Sequence, residues 1–386
     1  SAPETVATSY LLTEFLWNAG VPPSVLQFVP TRDDEVGKYL VSHPDVNAVI
    51  LTGSFDTALL FTKFSEHINL LAETSGKNAI YISASADIDN AVKDLVQSAF
   101  GHAGQKCSAA SLAIVDASIY RNPAFVSQLK DAVESLQVGP GTDFSTAVGP
   151  LIHPPSGPLL RALTRLDEGE SWLVEPRALS ANGYLYSPGV KMGVAGNSWS
   201  HLNEWFGPVL AVMPAPDFET AVKLQNATAY GLTAGIHSLN TRECEMWINS
   251  VAAGNLYVNR GITGAVVDRQ PFGGWKSSSV GATSKAGGPN YLNNLRNWSP
   301  MSSLDKTKES SKKWWDDYGS QAIDAQKLGV ERNYQRYRPY VSGIAVYIDS
   351  DTSTDVIEYV KWISELVGTP IFWVGEDNAI TDCGKV

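Results

Sequence analysis

The sequence predicts an α/β protein with doubly wound, mostly parallel sheets, and three observations carry that prediction. Short apolar runs of strand length (residues 46–51, 79–83, 112–115 and 209–215) alternate with stretches whose apolar residues recur at helical spacing. Helix and strand following each other at short intervals imply parallel strands joined by crossing helices. The 386 residues suffice to bury a large core and to form two or three lobes.

Residues 6–19 read as a helix stopped by Gly20, with Pro22 and Pro23 fixing the exit. A short strand at 25–29, a helix at 33–42 and a buried parallel strand at 46–51 follow. That strand runs into Thr52, Gly53 and Ser54, and a helix at 55–64 begins directly after them. A phosphate-bearing cofactor approaches backbone N–H groups at such a turn. An ordinary turn with a capping serine fits the same three residues, and no Gly-x-Gly-x-x-Gly occurs in the chain.

Glu73 ends the apolar run Leu70-Leu71-Ala72 and precedes Thr-Ser-Gly-Lys. A carboxylate at a strand end facing a cleft can take a proton from water; a cap is the alternative. Residues 79–83 form the next strand. Over 87–100, Ile88, Val92, Leu95, Val96, Ala99 and Phe100 share one helical face. Gly101, Ala103 and Gly104 break that pattern just before Cys107. A thiol on a turn between packed elements is held still yet reachable, and Lys106 beside it favours the thiolate. A buried structural cysteine suits these residues equally well.

Further on come a strand at 112–115, a helix at 122–136 with Pro123 in its first turn, a loop at 139–155 and a helix at 159–166. Glu204-Trp205-Phe206-Gly207-Pro208 precedes the strand at 209–215. Glu204 there is a lone acid beside two large aromatics, and on its own it reads as a solvated loop acid. Helices at 220–224 and 241–250 follow. The glycines between Asn255 and Ser277 allow backbone amides to converge on an anion, although a plain hairpin turn reads them too. From about residue 297 the composition becomes polar. Residues 301–318 mix lysines and tryptophans with acids, which suits a solvated linker helix and not a nucleic-acid site. Strand, helix and strand then follow at 341–348, 356–366 and 371–374.

Composition narrows the setting. Net charge is −11, which argues against a general nucleic-acid binder. Cys107, Cys244 and Cys383 form neither a disulfide framework nor a metal-ligand spacing, which points to a reducing, cytoplasmic compartment and to no bound metal. Neither a membrane-spanning run nor a signal peptide is expected.

Two strings together, Glu73-Thr-Ser-Gly-Lys77 and Gly104-Gln-Lys-Cys107-Ser108, with Glu73 and Cys107 34 positions apart, resemble the aldehyde dehydrogenase superfamily. Thr52-Gly53-Ser54, residues 144–152 and Glu204-Trp205-Phe206 fit the same resemblance. Thr263-Gly-Ala-Val-Val267, Gln270-Pro-Phe-Gly-Gly274 and Lys285-Ala-Gly-Gly-Pro-Asn-Tyr-Leu292 resemble its L-glutamate γ-semialdehyde (1-pyrroline-5-carboxylate) dehydrogenase branch.

The resemblance implies an aldehyde dehydrogenase-like fold of doubly wound parallel sheets, with Cys107 as nucleophile and Glu73 as general base. It implies NAD as cofactor, approached by Thr52, Gly53 and Ser54, with Glu204 on the nicotinamide ribose and Phe206 beside the ring. Ser108, Gly264 and Ala265 would hold the substrate's α-carboxylate, Ala265 standing where many relatives have serine. Phe272 would pack along the substrate's methylenes.

Domains follow from the same likeness: residues 1–74 as the C-terminal part of an NAD-binding domain, 75–276 as the catalytic domain and 277–300 as a return segment for oligomerisation. Residues 301–340 would be a linker, and 341–386 the start of a C-terminal extension like that of bifunctional proline-utilisation proteins. Opening on a helix, the chain is expected to lack the N-terminal half of the cofactor domain, and to stop at its other end on an unpaired sheet edge. A homo-oligomer is expected, with a proline dehydrogenase part, the only place for FAD, elsewhere on a longer polypeptide. Alternatives are an incomplete fragment serving dimerisation or channelling, a dehydrogenase for another carboxylated aldehyde, and a cofactor-free thiol hydrolase pairing Cys107 with His102.

Overall fold

The computed structural model describes residues 3–65, 67–267, 269–282, 285–299, 303–375 and 380–382. They divide into two compact units, Ser1–Gly264 with Phe272–Asn294, and Ala265–Pro271 with Leu295–Val386.

The first unit is centred on a seven-stranded sheet. Its order is Asn255–Val258, Thr233–His237, Asn78–Ile82, Ala110–Asp116, Val209–Ala215, Gly189–Met192 and Ser171–Val174. All neighbours are parallel except the last pair. From Asn78–Ile82 the chain adds Ala110–Asp116 on one side and later Thr233–His237 on the other, which is the doubly wound layout. Covered on both faces, these strands read as continuous Val, Ile, Leu and Ala runs. Ile80, Ile82, Leu112, Ile114 and Leu210 are fully buried.

Helix Ile88–Phe100 starts at Asp87, whose carboxylate accepts from Asn90 N–H at 3.1 Å, and it sends Val92, Leu95 and Phe100 into that core. Helix Pro123–Glu134 begins with the expected first-turn proline and is capped by Asn122. Trp247 of helix Thr241–Ser250 is fully buried, its indole N–H donating to Gln225 Oε1 at 2.8 Å.

A second sheet of three strands holds Val49–Thr52, Leu70–Glu73 and Ser279–Gly281, the last antiparallel to the middle one. Its core is small: Ala58, Leu70 and Ala72. Gly281 has φ +90°, and a Cβ there would lie 1.7 Å from the Leu70 carbonyl oxygen, so only glycine lets this strand close on its neighbour.

Several expectations need correction. Residues 25–29 form no strand. Val25 and Leu26 N–H both donate to the Pro22 carbonyl and Trp17 Nε1 donates to Leu26 O, so a proline turn consumes the groups a ladder would need. The run at 46–51 is a strand only over Val49–Thr52, and it is not buried: Ile50 is 57% exposed, because this strand edges the smaller sheet. Strands Thr233–His237, Gly189–Met192 and Ser171–Val174 were not anticipated: Gly, His and Lys interrupt the apolar pattern of the first two, and the third is only four residues long. Lys191 is buried there, with Nζ on Arg165 O at 2.6 Å and Glu170 Oε2 at 3.3 Å.

In the second unit, strands Ile344–Tyr347 and Ile371–Val374 pair in parallel around helix Thr354–Val367, and Ile380–Asp382 adds antiparallel to Ile371–Val374. Helix Leu304–Trp314 is not a purely solvated linker. Lys308 pairs with Glu358 at 2.5 Å, and the hydroxyls of Ser311 and Tyr359 lie 2.8 Å apart, which fastens it to helix Thr354–Val367. No helix among the described residues is long and apolar enough to cross a membrane.

Candidate active site

Glu73 closes the middle strand of the small sheet. Its neighbours in register are Thr52 on one side and Ser279 on the other. The Thr52–Ser54 turn therefore lies beside the acid, with Gly53 N–H donating to Glu73 O at 3.2 Å. All three turn residues are exposed, and Ser54 Oγ accepts from Thr57 N–H, capping helix Phe55–Thr62. The capping reading of Ser54 is thus realised.

The Glu73 carboxylate is held from the opposite side of the chain. Gly274 N–H donates to Oε2 at 2.9 Å, and a side chain at Gly273 would come within 3.0 Å of Oε1. Burial pushes the Glu73 pKa up to about 7, against the pull of the Gly274 amide and the Lys285 charge. An acid poised there can be ionised or protonated near neutral pH, which suits a general base.

The next five residues lead from Glu73 to the cysteine. Thr74 N–H donates to Ser278 O at 3.0 Å and its hydroxyl to Ser277 O at 2.7 Å. Gly76 N–H donates to Glu204 Oε1 at 2.8 Å, and a Cβ on Gly76 would lie 2.8 Å from the Cys107 carbonyl oxygen. Asn78 Nδ2 then donates to Cys107 O at 2.7 Å and to Ala109 O at 3.0 Å, while its Oδ1 accepts from Thr233 N–H at 3.0 Å. Glu73, Glu204 and Cys107 are thereby gathered around one six-residue segment.

Cys107 is half-buried and unpaired, as is the buried Cys244; Cys383 lies outside the described residues. His102 and Ala103 both take φ near +54°, and this left-handed kink turns the chain out of the helix. Gly104 follows at φ +66°, where a Cβ would meet Gly207 O at 2.3 Å. That close approach brings the cysteine loop against the Glu204–Gly207 segment. Gln105 joins them as well, donating to Phe206 O at 3.3 Å and accepting from Ile152 N–H at 3.0 Å.

Lys106 does pull Cys107 toward thiolate, but burial decides the net shift. Lys106 and the amides of Ser108 and Cys107 pull the pKa down, but burial outweighs them and raises it. In the free protein the thiol form is favoured, so a proton must leave before attack.

Glu204 is half-buried, with a pKa raised first by burial and lowered by Gly76, Ser75 and Lys77. Phe206, at φ +50°, is 42% exposed. Lys77 is buried with its ammonium 3.1 Å from the centroid of the Trp205 ring, a cation–π contact. Ser108 is buried, its carbonyl accepting from Thr233 Oγ1 at 3.3 Å. Phe272 is half-buried and exchanges backbone hydrogen bonds with Ala286 at 3.0 and 2.8 Å. Gly264, at φ +80°, is the last residue of its stretch of the first unit, whereas Ala265 belongs to the second. His102 is exposed.

Four residues at the site were given no role from the sequence: Asn78, Gln105, Asn255 and Lys285. Asn78 left one readable signal, an amide at the head of a buried apolar strand. Among the described residues no group of three His, Cys, Asp or Glu could hold a metal ion.

Comparison with known proteins gives the family. The pattern of the aldehyde dehydrogenase family matches residues 1–299, and the chain belongs to that family. It is 36% identical over 300 residues to a 1-pyrroline-5-carboxylate dehydrogenase of Geobacillus kaustophilus (strain HTA426), covering 75% of this chain and 58% of the relative. A solved structure of Proline Utilization A (PutA) from Corynebacterium freiburgense is 43% identical with a TM-score of 0.89, over 96% of this chain and 40% of that one. A 1-pyrroline-5-carboxylate dehydrogenase from Thermus, solved with bound NAD, is 34% identical with a TM-score of 0.68, over 75% of this chain and 57% of that one. The chain thus spans a little under three fifths of the dehydrogenases it matches.

Proposed function

We propose that this chain carries the cysteine and the general base of an NAD-dependent dehydrogenase that oxidises L-glutamate γ-semialdehyde to L-glutamate, the second step of proline catabolism. The observation that supports it most is the 73–78 segment, which links the acid Glu73 to the loop of the nucleophile Cys107. The names of the relatives support the substrate class.

Cys107, once deprotonated, attacks the aldehyde carbon and forms a thiohemiacetal. The Cys107 and Ser108 amides, which already lower the thiol pKa, are suited to donate to the developing oxyanion. Bound NAD would supply the hydride acceptor that the passage from thiohemiacetal to thioester requires. Glu73 then removes a proton from water, the hydroxide adds to the thioester carbon, and the C–S bond breaks to release the acid and the thiolate. Ser108 and Gly264 are proposed for the substrate's α-carboxylate and Phe272 for its methylenes.

Thr52, Gly53, Ser54, Glu204 and Phe206 are proposed to hold NAD. Two features fit that group. The Thr52–Ser54 turn is exposed at the N-terminus of helix Phe55–Thr62. Glu204 is fixed by Gly76 and Ser75, which leaves acceptor positions for a ribose diol, since a carboxylate offers about four.

Residues 1–74 would serve the cofactor, 75–276 the chemistry and 277–300 oligomerisation, with 301–340 and 341–386 as linker and extension. The PutA likeness supports a proline dehydrogenase part on the same polypeptide, and we place the protein in the cytoplasm as a homo-oligomer. The test is NADH formation from the semialdehyde by the complete polypeptide and by its Cys107→Ala and Glu73→Gln variants. Both substitutions should stop turnover, and sustained turnover in either rejects the assigned role.

A further inference from the structure

Lys285 lies outside the proposed chemistry, yet it is built into the support of the general base. Its ammonium donates to the Gly254 carbonyl, to Asn255 Oδ1 at 2.9 Å and to Gly273 O at 3.3 Å. Asn255 is buried, and its own amide donates to Leu232 O at 3.2 Å and Gly273 O at 3.1 Å. Gly254 admits this arrangement only because it lacks a side chain, as a Cβ there would sit 1.9 Å from Gly273 O. The lysine thus ties the start of strand Asn255–Val258 to the Gly273–Gly274 peptide. The other end of that peptide, Gly274 N–H, is the donor on Glu73 Oε2.

We propose that Lys285 is a positioning residue for Glu73: it anchors the Gly273–Gly274 peptide that aims an amide at the carboxylate, and it sets a positive charge beside that carboxylate. The inference rests on the reading of Glu73 as the base that hydrolyses the thioester.

The surroundings of Glu73 isolate this effect. The strand on one side presents Thr52, the strand on the other presents Ser279, and the following turn runs Thr74-Ser75-Gly76. Asp56, on helix Phe55–Thr62, is exposed. The charge that bears on Glu73 is that of Lys285, and it opposes the upward push of burial. Reciprocally, burial lowers the Lys285 pKa to about 8 against the pull of Glu73. A charged lysine beside the carboxylate favours the ionised base near neutral pH.

The test uses p-nitrophenyl acetate on the complete polypeptide, without cofactor. The Cys107 thiolate attacks the acyl carbon and p-nitrophenolate departs with the electron pair of the broken C–O bond, giving a burst. Water deprotonated by Glu73 then cleaves the acetyl thioester, releasing acetate and regenerating the thiolate, which sets the steady rate.

Lys285→Gln, which keeps a donor and loses the charge, should retain the burst and slow the steady rate about fivefold at pH 7, and about tenfold well below it. It should also move the rising limb of the pH profile to higher pH by about one unit, since each unit corresponds to a tenfold change in the ionised fraction. Lys285→Arg, which keeps the charge, should return the limb toward its original position. A limb that stays in place in Lys285→Gln while the rate falls overturns the inference, since a merely structural prop would act that way. A limb shifted equally in Lys285→Arg overturns it too. No burst in the unaltered chain overturns the Cys107 assignment itself, and this inference with it.

Discussion

The two proposed reacting groups stand on sheets of very different build. Cys107 leads into a seven-stranded sheet whose inner strands are buried on both faces, and the helix before it gives six apolar side chains to the core. Glu73 ends a strand of a three-stranded sheet with three core residues and a half-exposed edge. The large sheet holds the nucleophile by packing. The small one holds the base mainly by hydrogen bonds with residues about two hundred positions away: Gly274 N–H donates to the carboxylate, and Thr74 donates to the Ser277 and Ser278 carbonyls. Packing fixes a backbone to within a fraction of an ångström, whereas this distant polar frame can also tune a charge.

That contrast can be broken at several points. Cys107→Ala, on the side of the large sheet, should lower semialdehyde turnover by about 10⁴-fold or more while leaving thermal stability close to unchanged. Glu73→Gln should lower it by about 10²–10⁴-fold and spare the first acylation.

The same substitution should show the cost of burying the acid. A carboxyl whose pKa is raised in the fold adds stability below its unfolded value and loses it as pH rises through the folded value. For Glu73 that window runs from 4.5 to about 7. Glu73→Gln should therefore be more stable than the parent in denaturant unfolding at pH 8, by at most about 3 kcal/mol, and the gain should vanish near pH 4.

Two further substitutions compare the sheets directly. Gly281→Ala forces a Cβ onto the Leu70 carbonyl and should loosen the small sheet by about 3 kcal/mol. Hydrogen exchange should rise in residues 49–52 and 70–73 and stay unchanged in 79–82 and 112–115. Asn78→Ala leaves the buried Thr233 amide and the Cys107 and Ala109 carbonyls without that partner, costing about 2 kcal/mol. Its exchange increase should fall on the large sheet instead.

Legibility in the sequence follows the same division. Helix Ile88–Phe100, strand Val209–Ala215 and helix Thr241–Ser250 could be read to within a residue or two, because apolar periodicity reports packing. Strand Ser279–Gly281 carries no apolar run, and its partner lies about two hundred positions back, so nothing local announced it. Lys285 stood in plain view within a glycine-rich string, but its role depends on three oxygens contributed by other segments. The net direction of the Cys107 shift is illegible in the sequence for a related reason. A neighbouring lysine is visible in a sequence, while the extent of burial is set by the whole fold.

The most direct test of the division between sulfur and carboxylate is the mass of the Glu73→Gln polypeptide after incubation with the semialdehyde and NAD. The account predicts one added acyl group per chain, mapped to the peptide containing Cys107 and stable because its hydrolysis is slowed. An unmodified Cys107 peptide, or an acyl group on another residue, would contradict it.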